Sequence, residues 1–288
     1  MIKIKKANKL YNENLVLKNL NFSIESGNTY CLVGKNGSGK TTLINLILGI
    51  IKLNKGSIET NLNFKYDIGV MLQDDIFPQN IKVNEMINMH LSIYKKKKDF
   101  SQINTLLKKI NLEGKINEYV TNLSGGQKRK LSFILSIIHN PKFIILDEPT
   151  TGMDFESIEQ FIDIIKQLKK ENKTILLITH DFYQIDEFVD EIDILRNGYI
   201  QKKYTVNEIK EQKVIEYGIV KESLTDSSDI LFSTDTKVVV NHENKQSFEE
   251  SNYKCIKGVD TYLRNLEIRD IFKSLSGEAK NENNYSTY

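Results

Sequence analysis

The sequence contains no tryptophan, only 3 prolines and 2 cysteines in 288 residues, and no excess of either charge sign. Cys31 and Cys255 lie far apart in the chain, and Cys31, in the run Tyr30-Cys31-Leu32-Val33, reads as a small buried hydrophobe. That usage fits a reducing cytoplasm. The 40 Lys plus Arg against 38 Asp plus Glu leave a net charge of +2, so no basic field advertises nucleic acid, and none is expected as a partner. The start, Met1-Ile2-Lys3-Ile4-Lys5-Lys6, lacks the apolar stretch that would make it a secretory signal. The longest apolar runs, such as residues 47–51 and 143–146, fall far short of the ~18 to 20 residues of a membrane-spanning helix. A role at a membrane would have to be borrowed from a partner.

What is present is an ordinary globular composition, 40% hydrophobic and 27% charged. The length allows one large domain plus a small appendage, at ~100 to 200 residues per domain. Residues 2–24 alternate in a strand-like way, and residues 30–34 form a short β run ending at glycine. Residues 41–51 carry Leu43, Ile44, Leu46, Ile47, Leu48 and Ile50, the pattern of a helix buried over most of its surface. From about 74 to 140 the pattern turns helical, and from Lys142 two apolar strands, 143–146 and 174–179, flank a helix over 155–170. That is a β-α-β unit with parallel strands. Beyond about Gln201 short strands at 214–220 and 237–240 and a helix at 266–275 predict a small α+β appendage. The expected domains are 1–204 and 205–288.

Two motifs carry chemistry. Gly34-Lys35-Asn36-Gly37-Ser38-Gly39-Lys40-Thr41 matches GxxxxGK[ST] between a strand and a helix. Its glycines let backbone N–H groups curl around phosphates in front of a helix N-terminus. Lys40 then supplies a positive charge to the β- and γ-phosphates, Thr41 a hydroxyl to Mg²⁺, and Thr42 joins Gly34, Asn36, Gly37, Ser38 and Gly39 in the ATP-binding set. Residues 143–148 put Asp147 and Glu148 at the carboxyl end of an apolar strand, where open α/β sheets bind ligands. An Asp-Glu pair there is by itself an everyday helix start. Beside a phosphate loop it assigns Asp147 to Mg²⁺ and Glu148 to the attacking water as general base.

Leu123-Ser124-Gly125-Gly126-Gln127 resembles the LSGGQ signature of ABC ATPases and stands between the phosphate loop and the acidic strand, as in that family. The resemblance spans about residues 2–201. It implies an α/β fold: a P-loop ATPase core with a mainly parallel sheet, an N-terminal antiparallel β subdomain, and a helical insertion (about 74–140) carrying the signature. It also implies roles. Tyr11 would stack on adenine, Gln73 would reach Mg²⁺ and the attacking water, Asp154 of Thr151-Gly152-Met153-Asp154 would speak across a dimer, and His180 would lie against the γ-phosphate. The signature would act in trans, so that ATP joins two copies or a copy and a related ATPase. A separate transmembrane permease would be the second partner, holding the chain on the inner face of the cell membrane. Residues 81–85 and 137–154 look most like members that serve exporters and drug- or peptide-resistance systems. A non-transport ABC ATPase acting on a soluble assembly is the alternative, and the two are separated by whether a neighbouring gene encodes a spanning subunit.

Overall fold

The computed structural model describes residues 1–97, 99–179, 185–218, 230–233, 237–256, 261–268 and 270–271. Strand β1 (Ile2–Tyr11) buries Ile2 and Ile4 with Lys3 and Lys5 exposed, the period of two that a half-covered sheet demands, and an irregularity at Lys6 (φ 47°) shifts the register so that Ala7 is the next buried residue. It pairs antiparallel with β2 (Asn14–Ile24) on one side and β4 (Lys55–Thr60) on the other, giving a three-stranded sheet.

Strand β3 (Thr29–Val33) is buried at every position, as are β6 (Phe143–Asp147) and β7 (Thr174–Ile178), and such continuous apolar runs belong to a sheet covered on both faces. With β5 (Ile68–Met71), β8 (Glu191–Arg196) and β9 (Tyr199–Thr205) they form a six-stranded sheet in the order β5-β6-β7-β3-β8-β9. The pairs β5/β6, β6/β7, β7/β3 and β3/β8 are parallel, so their carboxyl ends share one edge. Asn197 and Gly198, both at positive φ, make the two-residue turn into β9 that such a hairpin requires. Helix α1 (Lys40–Ile47) follows β3 and buries Leu43, Ile44, Leu46 and Ile47, each stabilising by roughly 1.5–3 kcal/mol. It ends before the residue 51 expected from its apolar residues, because Gly49 takes φ 70° and turns the chain out of the helix.

Between β5 and β6 lie α2 (Val83–Ile93), α3 (Phe100–Lys109) and α4 (Gly125–Ile137). His139, just after α4, donates from Nε2 to Ile68 O at 3.1 Å, faces His90 Nε2 with its Nδ1 at 3.3 Å and stacks on Tyr94 at 3.7 Å. Burial, then the neighbouring His139, pushes the His90 pKa down to about 4, so this pair is neutral packing between α2 and α4. After β6, α5 (Phe155–Lys170) crosses to β7 with Phe161, Ile162, Ile165 and Leu168 inward, as its spacing predicts.

Residues 1–203 form one compact unit and 204–288 another. The second contains α6 (Val206–Glu211) and an antiparallel sheet in the order β11-β12-β10-β13, built from β10 (Lys213–Gly218), β11 (Ile230–Ser233), β12 (Lys237–Asn241) and β13 (Thr261–Asn265). Its small core gathers Ile215, Tyr217, Val238, Val240 and, from α7 (Lys245–Ile256), Phe248. The strands expected at 214–220 and 237–240 are present, the first described as far as Gly218, and of the helix expected at 266–275 residues 268, 270 and 271 are helical, while 269 and 272–275 lie outside the described residues. Strand β11 went unread because it is only four residues long, and strand β13 and helices α6 and α7 because their residues are mostly polar.

Asp193 on β8 is fully buried with Lys203 Nζ 3.0 Å away. Burial pushes its pKa up to about 6 against the opposing pull of Lys203. A carboxyl that holds its proton more tightly folded than unfolded favours the native state below about pH 4, and that contribution is lost as pH rises through the folded value. The Asp193→Asn variant is therefore expected to gain roughly 2–3 kcal/mol relative to the parent between pH 4 and pH 7.5. Urea denaturation of both proteins at the two pH values checks this, and a difference that stays constant or reverses contradicts it.

Candidate functional site

The phosphate loop hangs between β3 and α1. Gly37 and Gly39 take φ 78° and 109°, backbone that L side chains rarely adopt, and Gly39 is the residue before the first turn of α1. A Cβ on Gly34 would lie 2.4 Å from Leu195 O and 2.6 Å from Ser38 Oγ, so only glycine lets the loop pass β8 this closely. Ser38 is buried, and its hydroxyl has no hydrogen-bond partner, while Asn36, Gly37 and Thr41 are exposed and Thr42 half-buried. Lys40 Nζ donates to Gly34 O at 2.6 Å and Lys35 O at 3.2 Å, folding the ammonium back over the loop. Burial lowers the Lys40 pKa, and the charges of Glu148 and Asp147 counter it, which brings the ammonium and both acids into one electrostatic neighbourhood.

Those acids come from β6. Between β3 and β6 stands only β7, so the two strand ends are roughly 10 Å apart on one edge. Asp147 is buried, and its pKa is raised by that burial and then by Glu148, against Lys40 and Arg129. A hard divalent cation would offset this penalty, and the Thr41 hydroxyl, the Gln73 amide oxygen and the Asp147 carboxylate are the oxygen donors that Mg²⁺ prefers, so these residues fit the ion that accompanies ATP. Glu148 sits at φ 47°, a strained conformation for a residue with a side chain and one that recurs at functional sites. Its N–H donates to Ile178 O at 2.8 Å and its carbonyl accepts from Thr151 N–H at 3.3 Å. Gln73 follows β5 and is exposed. Tyr11 lies at the far end of β1, 43% exposed, with Lys9 Nζ 5.1 Å above its ring. His180 lies outside the described residues, immediately after Thr179, which follows β7 between the two strand ends.

The signature makes the start of α4. Ser124 is the N-cap: its hydroxyl accepts from Gln127 N–H at 3.3 Å, and Gln127 Oε1 accepts from Ser124 N–H at 3.0 Å. This reciprocal box fixes the turn while leaving the Gly125 and Gly126 amides at the positive end of a helix, a ready anion site. Leu123 is buried beneath it, and Gly126 lies against Gly152 O, where a Cβ would be 3.2 Å away. Asp154 caps α5, accepting from Ser157 N–H at 2.9 Å, and the Ser157 hydroxyl, then that backbone bond, holds its carboxyl below the usual range.

Arg129 was missed by sequence reasoning. It is buried on α4 and donates to main-chain carbonyls at the ends of both β5 and β6. Its signal was available: arginine occurs only at four positions, and one of them stands two residues after the signature in Gln127-Lys128-Arg129-Lys130.

A phosphate loop, an acid pair on the same sheet edge and a second anion-binding helix end define the class of ATP-binding cassette P-loop proteins. Comparison with known proteins agrees. A family model described as ABC transporter matches residues 17–151. The ABC transporter ATP-binding protein MJ1023 of Methanocaldococcus jannaschii is 30% identical over 257 residues, covering 86% of this chain and 97% of that protein. The lantibiotic transport ATP-binding protein SrtF of Streptococcus pyogenes is 31% identical over 219 residues (74% and 95%), and the zinc uptake system ATP-binding protein ZurA of Listeria innocua is 30% identical over 208 residues (67% and 81%). Among solved structures, an ATP-binding subunit of an ABC transporter superposes with TM-score 0.67 at 23% identity, covering 73% of this chain and 92% of that one. The dimeric bacterial ABC transporter cassette MJ0796 gives 0.64 at 26% identity, covering 72% and 99%. The chain belongs to the ATP-binding proteins of the ABC transporter family.

Lys40→Ala removes both the charge for the phosphates and the bonds to Gly34 and Lys35, and is expected to weaken ATP binding roughly 10- to 100-fold. Titration with a fluorescent ATP analogue measures this, and an unchanged affinity would mean the phosphates sit elsewhere.

Proposed function

We propose that this chain binds and hydrolyses Mg-ATP as the motor of an ABC transporter, closing on a second ATPase chain around the nucleotide and driving a separate membrane permease. The observation that carries the reading is the pair of anion-binding turns, 34–41 and 124–127, in a chain that also presents Asp147 and Glu148. Among the described residues no helix is long and apolar enough to cross a membrane, so the pathway would be supplied by that partner, with the chain held at the cytoplasmic face.

In this mechanism the loop amides and Lys40 neutralise the phosphates, and Tyr11 stacks on the adenine for modest affinity. Thr41, Gln73 and Asp147 would hold Mg²⁺, which would supply positive charge to offset that of the phosphates. Glu148 accepts a proton from the attacking water, and His180 and Gln73 orient the γ-phosphate and that water. Ser124, Gly125 and Gly126 of the second chain offer their helix end to the same phosphate, with Leu123 and Gln127 fixing that turn and Asp154 at the contact between chains. ATP then favours the closed pair and ADP does not, and that difference in affinity is the free energy available to bias the permease. A homodimer or a pair with a related ATPase would use the same chemistry.

The proposed direction is export, supported by the motif likeness of residues 81–85 and 137–154 to exporter systems and by the similarity to SrtF. Uptake has the similarity to ZurA in its favour. Transport assays in oriented vesicles with the permease separate them.

Glu148→Gln is expected to lower turnover roughly 10²- to 10⁴-fold while ATP converts the chain into a stable dimer, read by light scattering. A monomer that hydrolyses normally would remove Glu148 from this role. Ser124→Arg is expected to keep ATP affinity within roughly threefold yet lose hydrolysis, because the defect falls on the other chain's nucleotide. Full turnover in that variant would contradict a shared site.

A further inference from the structure

Arg129 is 3% exposed, and every N–H of its guanidinium is used. Nε donates to Pro149 O at 3.2 Å. Nη1 donates to Leu72 O at 2.7 Å, Gln73 O at 3.0 Å and Asp75 Oδ1 at 3.1 Å, and Nη2 to Asp147 O at 2.7 Å and Glu148 O at 2.6 Å. The five donors of a guanidinium form a rigid planar fork, which lysine cannot reproduce. All but one of the acceptors are main-chain carbonyls. The cation therefore selects a backbone path, the one that leaves β5 through Gln73 and β6 through Asp147 and Glu148.

That path is costly without a clamp. Glu148 at φ 47° is held from two sides, by Ile178 O on its N–H and by Arg129 and Thr151 N–H on its carbonyl. Strained residues persist where the surroundings over-determine them. The clamp also starts from a telling place, two residues beyond Gln127 on the first turns of α4, whose Gly126 packs on Gly152 O.

We propose that Arg129 is a positioning residue that makes the signature turn, the Gln73 segment and the Asp147-Glu148 segment of one chain a single body. This rests on the shared-nucleotide reading above. The turn that a chain lends to its partner's nucleotide then moves with the acids and glutamine of its own site. Engagement of the phosphate at one site is transmitted to the other through Arg129, and the two sites act cooperatively.

The test uses the full chain as the parent and as Arg129→Met, Arg129→Lys and Asp75→Asn, with hydrolysis followed against ATP concentration and amide exchange mapped by mass spectrometry. In Arg129→Met, kcat is expected to fall roughly 30-fold or more with half-saturating ATP within about threefold, and the Hill coefficient to fall to that of independent sites. Amides of residues 147–153 and 72–75 are expected to exchange roughly tenfold faster, with those of 34–41 unchanged. Arg129→Lys is expected to recover only part of kcat, and Asp75→Asn, which leaves the carbonyl contacts intact, to lose roughly fivefold or less. Should Arg129→Met not fold, Arg129→Lys carries the same comparison, with reduced cooperativity and local exchange supporting the proposal. A folded Arg129→Met with parental kcat and cooperativity overturns it, as do losses of affinity and protection spread over the whole chain. Parental protein without any hydrolysis removes the motor reading itself, whereas an active parent matched by Arg129→Met removes only this role.

Discussion

A triphosphate can be held reversibly only where backbone N–H groups, a helix end and positive charge converge on one point, and the parallel sheet is what creates that point. Because β3, β6 and β7 run the same way, the loop after β3 and the acids after β6 emerge on one edge with a single strand between them. Reversing either β3 or β6 would send Lys40 and Asp147 to opposite ends of the domain. The fully buried composition of the three strands, with helices on the chain between them, is therefore a functional requirement as much as a packing one.

That edge concentrates groups that fold poorly when left alone. Asp147 is a buried carboxyl beside a second one, Lys40 is an ammonium partly withdrawn from water, and Glu148 has a backbone conformation more natural to glycine. Each is offset by a neighbour. Lys40 turns onto its own loop carbonyls, Glu148 is gripped by hydrogen bonds on both sides, and the Arg129 guanidinium balances the dipoles and charge at the ends of β5 and β6. A site arranged in this way is poised to gain from a ligand that brings a polyanion and a divalent cation together.

The residues legible in the sequence are those whose chemistry depends on local order. The phosphate loop can be read because glycine spacing, a strand before it and a helix after it are all contiguous, and the acid pair because an apolar run ends on it. The signature turn and the caps at Ser124 and Asp154 are legible for the same reason. The rarity of arginine marks Arg129 but not its role, since its partners lie some 20 and 57 residues away in the chain and all but Asp75 are main-chain carbonyls, which have no residue-type signature. The strain at Glu148 and the burial of Asp193 were equally invisible, because both are consequences of where neighbouring strands pass. The second unit was read only in part, as its strands are short and its core rests on a few residues such as Tyr217 and Phe248.

On the proposed reading each nucleotide needs the phosphate loop of one chain and the signature of another, and mixing two disabled chains tests that directly. Lys40→Ala chains lack the loop charge but keep the signature, and Ser124→Arg chains have the opposite defect. Mixed in equal amounts, they are predicted to form heterodimers holding one intact composite site, about a quarter of all sites, so that hydrolysis returns at no more than roughly a quarter of the parental rate and at less to the extent that the two sites are coupled. A mixture as inactive as its two components, with heterodimers demonstrably formed, would contradict the account.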